Sequence, residues 1–381
     1  MVAAFSTFGL FWGSWAVMVY DIQRTFGLND AQLGLLLAVA IGVSGTSSAV
    51  MAHLAQRVGA RRLLWVALLS WSGLLVLLSV AQQKWEFAGA LILVEMAGGS
   101  IDTAMNAEAS HRLIGNPAAL VRFHALFNTG ALVGAAAAGL VLHAGVSWRW
   151  IWPGVAVLAL AVGTWALRAD EGTVTATDTT DEPGRPSDHP LRRLRRDGLL
   201  ALLVVFALAE VTEGGVDTWG VLFLRNHLAT GVLLGAGAYV VGQSVAATTR
   251  GAGGTVFGRL SARHALIVGG CVAGGGILLE SLSPVAGLAA LGLALGAGGA
   301  SLFWPLVMST VSSQASQVVS AVGSFTAAGY IGWVAGAPAV GWVSQTYGPA
   351  RGLQILAVAA FAVALVSFLR PERRSAARSK E

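Results

Sequence analysis

Apolar runs of about 20 residues recur along this chain, separated by short polar breaks. They cover about 3–20, 32–54, 63–81, 87–110, 121–145, 150–168, 198–224, 229–257, 264–282, 285–311, 317–344 and 350–369. A helix needs roughly 20 consecutive apolar residues to cross a bilayer, so the pattern predicts twelve crossings. Between the sixth and seventh lies ADEGTVTATDTTDEPGRPSDHPLRRLRRDG, polar and rich in Pro and Thr, with no apolar period. Such a stretch reads as a flexible linker. The expected fold class is an all-α membrane protein with twelve transmembrane helices in two pseudo-symmetric six-helix bundles. The expected division is an amino-terminal bundle over 1–168, a cytoplasmic linker over 169–197, a second bundle over 198–370 and a basic cytoplasmic tail over 371–381. The opening MVAAFSTFGLFWGSWAVMVY is long and Trp-rich and lacks a basic leader, so it reads as a first crossing rather than a cleaved signal. Its abrupt beginning gives the expectation that the natural start lies slightly upstream.

Composition narrows the class. Of 381 residues, 55% are hydrophobic and 11% charged, against about 25% charged in soluble domains. The 24 Lys and Arg residues are not spread evenly. With the amino terminus inside, eighteen fall on the cytoplasmic side and five (Arg24, Lys84, Arg149, Arg225, Arg351) outside, leaving Arg250 within a helix. The positive-inside rule therefore places both termini in the cytoplasm. The cations serve topology and membrane-lipid contact, which excludes a nucleic-acid partner. The strong excess of Arg over Lys, with abundant Ala and Gly, suits a bacterial plasma membrane. One cysteine, Cys271, permits no internal disulfide, and the seven histidines have no ligand spacing, so neither a metal nor a cofactor is expected. No P-loop pattern and no nucleophile–base set appear, which argues against an ATP-driven pump and against an enzyme.

The candidate chemistry is acidic. Val94 to Glu108 reads VEMAGGSIDTAMNAE. At about 100° per residue, Gly99, Asp102 and Asn106 fall within about 40° of Glu95, forming one narrow polar stripe. Glu108 lies off that stripe, four residues before Arg112, in position for a local ion pair. The seventh run holds EVTEGGVDTWG, where the same wheel puts Glu210, Glu213 and Asp217 on one face within about 60°. A charge at the bilayer centre costs about 2.5–3.5 kcal/mol on insertion scales, so both stripes must face protein or a wet cavity. Burial penalises the charged form, and three neighbouring acids repel one another. Three roles follow: carrying a coupling proton, touching a polar substrate, or making structural hydrogen bonds. Arg250 follows Thr248 and Thr249; it can pair with a helix 7 acid, bind an anion or snorkel to the inner face.

Trp12, Trp15, Trp219 and Trp304 are candidate cavity aromatics, with packing or an interfacial belt as the other reading. Pro305 should break a hydrogen bond in helix 10 and permit a kink. His124 and Asn128 are polar positions early in helix 5.

An internal echo supports two related halves. AHLAQRVGARR (52–62) follows helix 2 and GRLSARH (258–264) follows helix 8; aligning Leu54 with Leu260 also aligns Arg57 with Arg263. Duplicated halves with a mid-membrane site between them are a common transporter design. This layout, with the basic loop after helix 2, resembles the major facilitator superfamily, whose loop motif runs Gly-x-Leu-Ala-Asp-Arg-x-Gly-Arg-Arg. Leu54, Ala55, Arg57, Gly59, Arg61 and Arg62 keep to it. Ala52 replaces its first Gly, and Gln56 replaces the acid of the family's cytoplasmic-side charge relay. GSWAVMVYDIQRTFGLNDAQLG (13–34), DTAMNAEASHRLIGNPAALVRFHALFNTGALVGA (102–135), EVTEGGVDTWGVLFLRN (210–226) and GYIGWVAGAPAVGW (329–342) are similar to the YbjJ-like branch, related to the fucose permeases. The resemblance implies a central cavity lined by helices 1, 4, 7 and 10, so the acidic stripes of helices 4 and 7 would face it. It also implies a gating loop at Arg57, Gly59, Arg61 and Arg62. Drug antiporters of the family usually carry Gly-Pro in helix 5; here Ala135 follows Gly134.

The expected function is secondary transport by alternating access, coupled to protons, of a small-molecule substrate such as a polar metabolite or sugar, by a monomer. One alternative is proton-driven export of amphipathic compounds, which the many Trp residues permit. Another is a non-transporting receptor or scaffold, although the polar segments are too short to fold alone.

Overall fold

The computed structural model describes residues 2–112, 117–168, 190–251 and 261–370. Among them all regular structure is helical. The first bundle comprises α1 (Val2–Phe26), α2 (Asp30–Val58), α3 (Ala60–Val80), α4 (Lys84–Arg112), α5 (Pro117–His143) and α6 (Ile151–Arg168). The short α7 (Pro190–Arg196) carries PLRRLRR, so the end of the linker is helical where an irregular chain was expected. The second bundle comprises α8 (Leu200–Gly215), α9 (Val221–Asn226), α10 (Val232–Gly251), α11 (Ala262–Leu282), α12 (Ala286–Ala300), α13 (Phe303–Gln314), α14 (Val318–Tyr347) and α15 (Pro349–Leu369). A π-helical turn, Val216–Gly220, joins α8 to α9 into the seventh crossing. The tenth crossing is α12 plus α13. It bends at Ser301 and Leu302, with Pro305 in the first turn of α13, where a missing N–H is tolerated.

The helices thus group into twelve crossings. Eight stretches among the described residues are individually long and apolar enough to span a bilayer. The apolar runs located every crossing but understated the length of several. α1 continues to Phe26 and α14 to Tyr347, because the polar residues at their ends stay in register with the turns below.

Helix ends follow local chemistry. Asn29 caps α2 through a capping box: its side chain accepts from the Gln32 N–H at 2.8 Å, while Gln32 accepts from the Asn29 N–H at 3.1 Å. Such a cap contributes about 1 kcal/mol. α2 ends at Gly59, whose φ of +89° is costly for any residue with a Cβ. The end of the molecule holding the α1–α2 connection is termed the outer end, following the expectation from the charge distribution.

Lipid gives helices little hydrophobic reason to associate, so contact relies on close backbone approach. At Gly13 of α1, a Cβ would lie 1.8 Å from the Ala131 carbonyl oxygen of α5. Between the bundles, α2 runs against α14 and α5 against α10, while α1 meets the π turn and α9. The α2–α14 seam is tightest at Gly341, where a Cβ would lie 2.3 Å from the Asp30 carbonyl oxygen.

Gly13→Ala should therefore force α1 and α5 apart and cost about 1–3 kcal/mol. Gly73→Ala, where a Cβ meets nothing within 4 Å, should stay within about 0.5 kcal/mol of the parent. Thermal unfolding of the detergent-solubilised variants compares the two; equal melting temperatures would contradict this packing.

Candidate functional site

The polar stripe of α4 faces protein. Gly99 brings α4 so close to α2 that a Cβ would lie 2.1 Å from the Ser44 carbonyl oxygen. Ser47 donates to the Met96 carbonyl at 2.7 Å, and Ser48 and Thr103 share a 2.7 Å hydrogen bond. Glu95 is buried, 5% exposed, beside Ser44 of α2 and one turn below the contact between Gly98 and Phe8 of α1. Asp102 is half-buried and accepts a 2.9 Å hydrogen bond from the Asn106 amide. From the other bundle, the Tyr330 ring lies across Gly45, and its hydroxyl is grouped with Asp102, Ser44 and Ser48. A side chain of α14 thus meets the acid of α4 across the seam.

The acids of the seventh crossing do not keep the single face expected of them. Glu210 is directed at α14: its Cγ would lie 3.1 Å from a Cβ on Gly329. Asp217, 9% exposed, is directed at α10. It accepts from the Tyr239 hydroxyl at 2.8 Å and from the Gln243 amide at 3.4 Å. Gln243 in turn accepts from the Asn128 amide of α5 at 2.8 Å. The π turn explains the departure, since it winds more residues per turn than the 3.6 on which the wheel rests. Glu213 is half-buried on α8, within electrostatic reach of Tyr239.

Between these clusters lies a cavity of about 10 Å³, lined by Leu37 and Ile41 of α2, Glu210, Trp219, Trp333 and Ala337 among others. That is room for one water molecule. Trp12 meets Trp333 edge to face at 5.3 Å across the seam. Trp15 is corrected: it is 1% exposed and stacks on Trp152 of α6 at 6.2 Å. It belongs to the core of the first bundle, because α1 packs on both α5 and α6 and its buried face is wider than one stripe. Trp304 lies 4.2 Å from His124 of α5, bridging the bundles toward the inner end.

The expected gating loop is instead a junction of two helices around Gly59: Arg57 in the last turn of α2, Gly59 and Arg62 of α3 are exposed, and Arg61 of α3 is half-buried. The side chains of Gln56, Arg112, Thr249 and Arg250 lie outside the described residues, as does Leu260, and with them the expected roles of Arg250 and of the Glu108–Arg112 pair. Arg263 donates to the Ser367 carbonyl at 3.1 Å, tying the inner ends of α11 and α15.

Sequence reasoning counted Arg225 only as an outer loop cation. It donates to both carboxylate oxygens of Asp21 and, at 3.3 Å, to the Val17 carbonyl. Its guanidinium lies 4.1 Å from the Tyr20 ring centre. A bidentate ion pair with an aromatic face beneath it therefore fastens α9 to α1 at the outer end. Tyr239, Gln243, Tyr330 and Trp333 were also missed.

Two clusters of acids in the long helices, one met directly by Tyr330 of the opposite bundle and one linked to it through Gln243 and Asn128, are accompanied by a family match over most of the length. The sequence matches the Major Facilitator Superfamily over residues 1–337. The chain belongs to that superfamily. It is thus a multi-pass membrane transporter, not an enzyme. It is 25% identical over 379 residues to the membrane protein MosC of Rhizobium meliloti, covering 96% of this chain and 88% of the relative. It is 28% identical over 349 residues to an uncharacterised MFS-type transporter of Yersinia pestis, covering 90% and 87%. Among solved structures it resembles a bacterial homologue of the human lysosomal transporter Spinster, inward-facing and occupied, with TM-score 0.73, 15% identity and coverage of 97% and 95%. It also resembles FucP in its outward conformation, with TM-score 0.65, 16% identity and coverage of 98% and 99%. At such identities these two likenesses show the superfamily's fold alone.

The Asp21–Arg225 pair is about a tenth to a quarter exposed by side chain, so solvent screens it only in part. Removing one partner by Asp21→Asn or Arg225→Gln should cost about 1–3 kcal/mol of outer closure and raise thiol-reagent access to a cysteine at Val17. The exchanged pair Asp21→Arg with Arg225→Asp should restore protection; if neither single variant changes access, the pair does not hold the outer end.

Proposed function

We propose that this transporter moves a small polar solute by alternating access, driven by protons that bind carboxyls at the seam between its two bundles. The observation that carries the reading is the chain from Asn128 of α5 through Gln243 of α10 to Asp217, with Tyr239 on the same carboxylate oxygen. Here an acid that burial disfavours in its charged form is hydrogen-bonded into a bridge between the halves. Protonation of Asp217 would weaken its oxygen as an acceptor, so proton occupancy and the stability of the bridge are linked. In the first bundle Asp102 has Asn106 beside it and Tyr330 across the seam. The proton thereby gains leverage over two separate contacts between the halves.

The solute is read as polar from Glu210 and Thr218 in the lining of the central cavity. Trp12, Trp219 and Trp333 at the same level favour a molecule with one apolar face, such as the ring of a sugar. The same aromatics support the second reading, export of an amphipathic compound. We place the protein in a bacterial plasma membrane as a monomer with both termini in the cytoplasm, on the distribution of its arginines.

A thermal-shift screen of the purified protein against sugars, small metabolites and amphipathic drugs would supply the substrate. In proteoliposomes, Asp217→Asn and Asp102→Asn should each lower pH-gradient-driven transport by at least about tenfold, or about 1.4 kcal/mol. Exchange at equal pH, which needs no net proton movement, should persist. Unchanged pH-driven rates in both variants would remove these carboxyls from the coupling step.

A further inference from the structure

One acid plays no part in the clusters above. Glu280 lies near the outer end of α11, 1% exposed, and neither of its carboxyl oxygens has a hydrogen-bond partner among the described residues. Close helix packing puts it there. At Gly292 of α12, a Cβ would lie 2.4 Å from the Glu280 backbone nitrogen, so the two helices touch backbone to backbone. The carboxyl is then directed at the seventh crossing, where its Oε1 would lie 3.5 Å from a Cβ on Gly220. Leu293 fills the same contact at 2.4 Å.

Among the described residues no neighbouring element supplies a counter-charge. α12 and α13 contain no titratable residue. On α15 the charged residue is Arg351, which is exposed and donates to Gln354 at 3.0 Å. On the π turn Asp217 is engaged by Tyr239 and Gln243, and on α9 Arg225 is held by Asp21. An ionised carboxylate here would be an unpaired buried charge, which proteins avoid by neutralising the group. The packing therefore accommodates the acid with its proton on.

We propose that Glu280 is a proton-binding site separate from the central carboxyls, its occupancy linked to closure of the outer end. On one side its wall is Gly220, the last residue of the π turn and the residue directly before α9, the segment that Arg225 fastens to α1. While that fastening holds, Glu280 is shut in beside Gly220 as the neutral acid. When the outer end of the seventh crossing moves away, water reaches the carboxyl, its O–H bond breaks and the proton passes to the outer solution. Closing again requires a carboxylate oxygen to take a proton back. Protons thus bind the outer-closed form more tightly, and by linkage a lower outer pH favours closure. The inference rests on alternating access but not on Asp102 or Asp217 as proton carriers.

Dicyclohexylcarbodiimide, an apolar reagent for protonated carboxyls, tests the site in the intact, purified protein. At neutral pH, peptide mass mapping should find the adduct on Glu280, and Arg225→Gln should reduce it by about tenfold as the outer end opens. No adduct on Glu280, or one indifferent to Arg225→Gln, overturns the proposal. Spin labels at Gln82→Cys and Thr346→Cys, in a Cys271→Ser background, report the outer separation. It should widen as pH rises, and Glu280→Gln should hold it closed throughout while Asp217→Asn still titrates. If Glu280→Gln titrates like the parent, the linkage is lost, and the proton-coupling role of Asp102 and Asp217 stands or falls on its own transport assay.

Discussion

A carboxyl placed at membrane depth must be surrounded by protein or water, and this requirement organises the molecule. Four of the acids discussed here, Glu95, Asp102, Glu210 and Asp217, lie on α4 and the seventh crossing; α4 packs on α2 and α3, and α8 on α14 and α15, the helices that in part form the seam. For two of them a polar group reaches from across the seam: Tyr330 of α14 to Asp102, and Asn128 of α5 to Asp217 by way of Gln243, which belongs to the same bundle as Asp217. Accommodating the acids and holding the halves together are therefore the same set of contacts. Under the proposed alternating access, relative movement of the bundles would change the surroundings of these acids, and a change in their charge would change the energy of that movement. Coupling of this kind needs no separate transmission device.

The backbone packing sets where movement is cheap. Within the first bundle, α1 and α5 are locked by glycines that put one helix against the carbonyls of the other, a contact that tolerates little displacement. Across the seam the close approach is concentrated at the outer end, at Gly34 with Ala337 and Gly341 with Asp30, beside the Asp21–Arg225 pair. Farther in, the seam is made by longer side chains, the Tyr330 ring on Gly45 and the Trp304–His124 contact. Side chains can change rotamer as two surfaces separate; interlocked backbones cannot. The outer end is fastened by stiff contacts and the inner part by adjustable ones.

Much of this was legible in the sequence. The twelve crossings follow from apolar length, and the α4 stripe from simple helical rotation, because α4 is a regular helix that the wheel describes correctly. The wheel misplaced Asp217 because VDTWG winds as a π turn, which no periodicity of apolar residues announces. Trp15 was taken for a cavity residue although α1 is packed on several sides, and apolar character alone does not tell core from cavity. Tyr239, Gln243 and Tyr330 were overlooked as isolated polar positions in apolar runs; what they do depends on partners more than 20 residues away in sequence, Asp217 for Tyr239 and Gln243. Arg225 obeyed the charge rule for outer loops and so raised no question. Glu280 sits at the end of its apolar run, in LLESLSP, where an acid is expected to be solvated. Only the backbone contact with Gly292 shows it is not.

The π turn ties these features to one another. Within a single crossing it holds Asp217, which is bonded to α10, and Gly220, which walls Glu280; five residues beyond Gly220 comes Arg225, which is bonded to Asp21. A π turn carries about one more residue than the α-helical turn it replaces. Were that residue removed, α9 would rotate by about 100° and drop by about 1.5 Å relative to α8. Asp217 and Arg225 could not then both keep their present partners. The irregular turn is thus the feature that lets one helix face α10 at its middle and α1 at its outer end. The irregularity also has low intrinsic stability compared with a straight helix, so the seventh crossing can change its winding at the point where its buried acid and its outer ion pair must respond to each other.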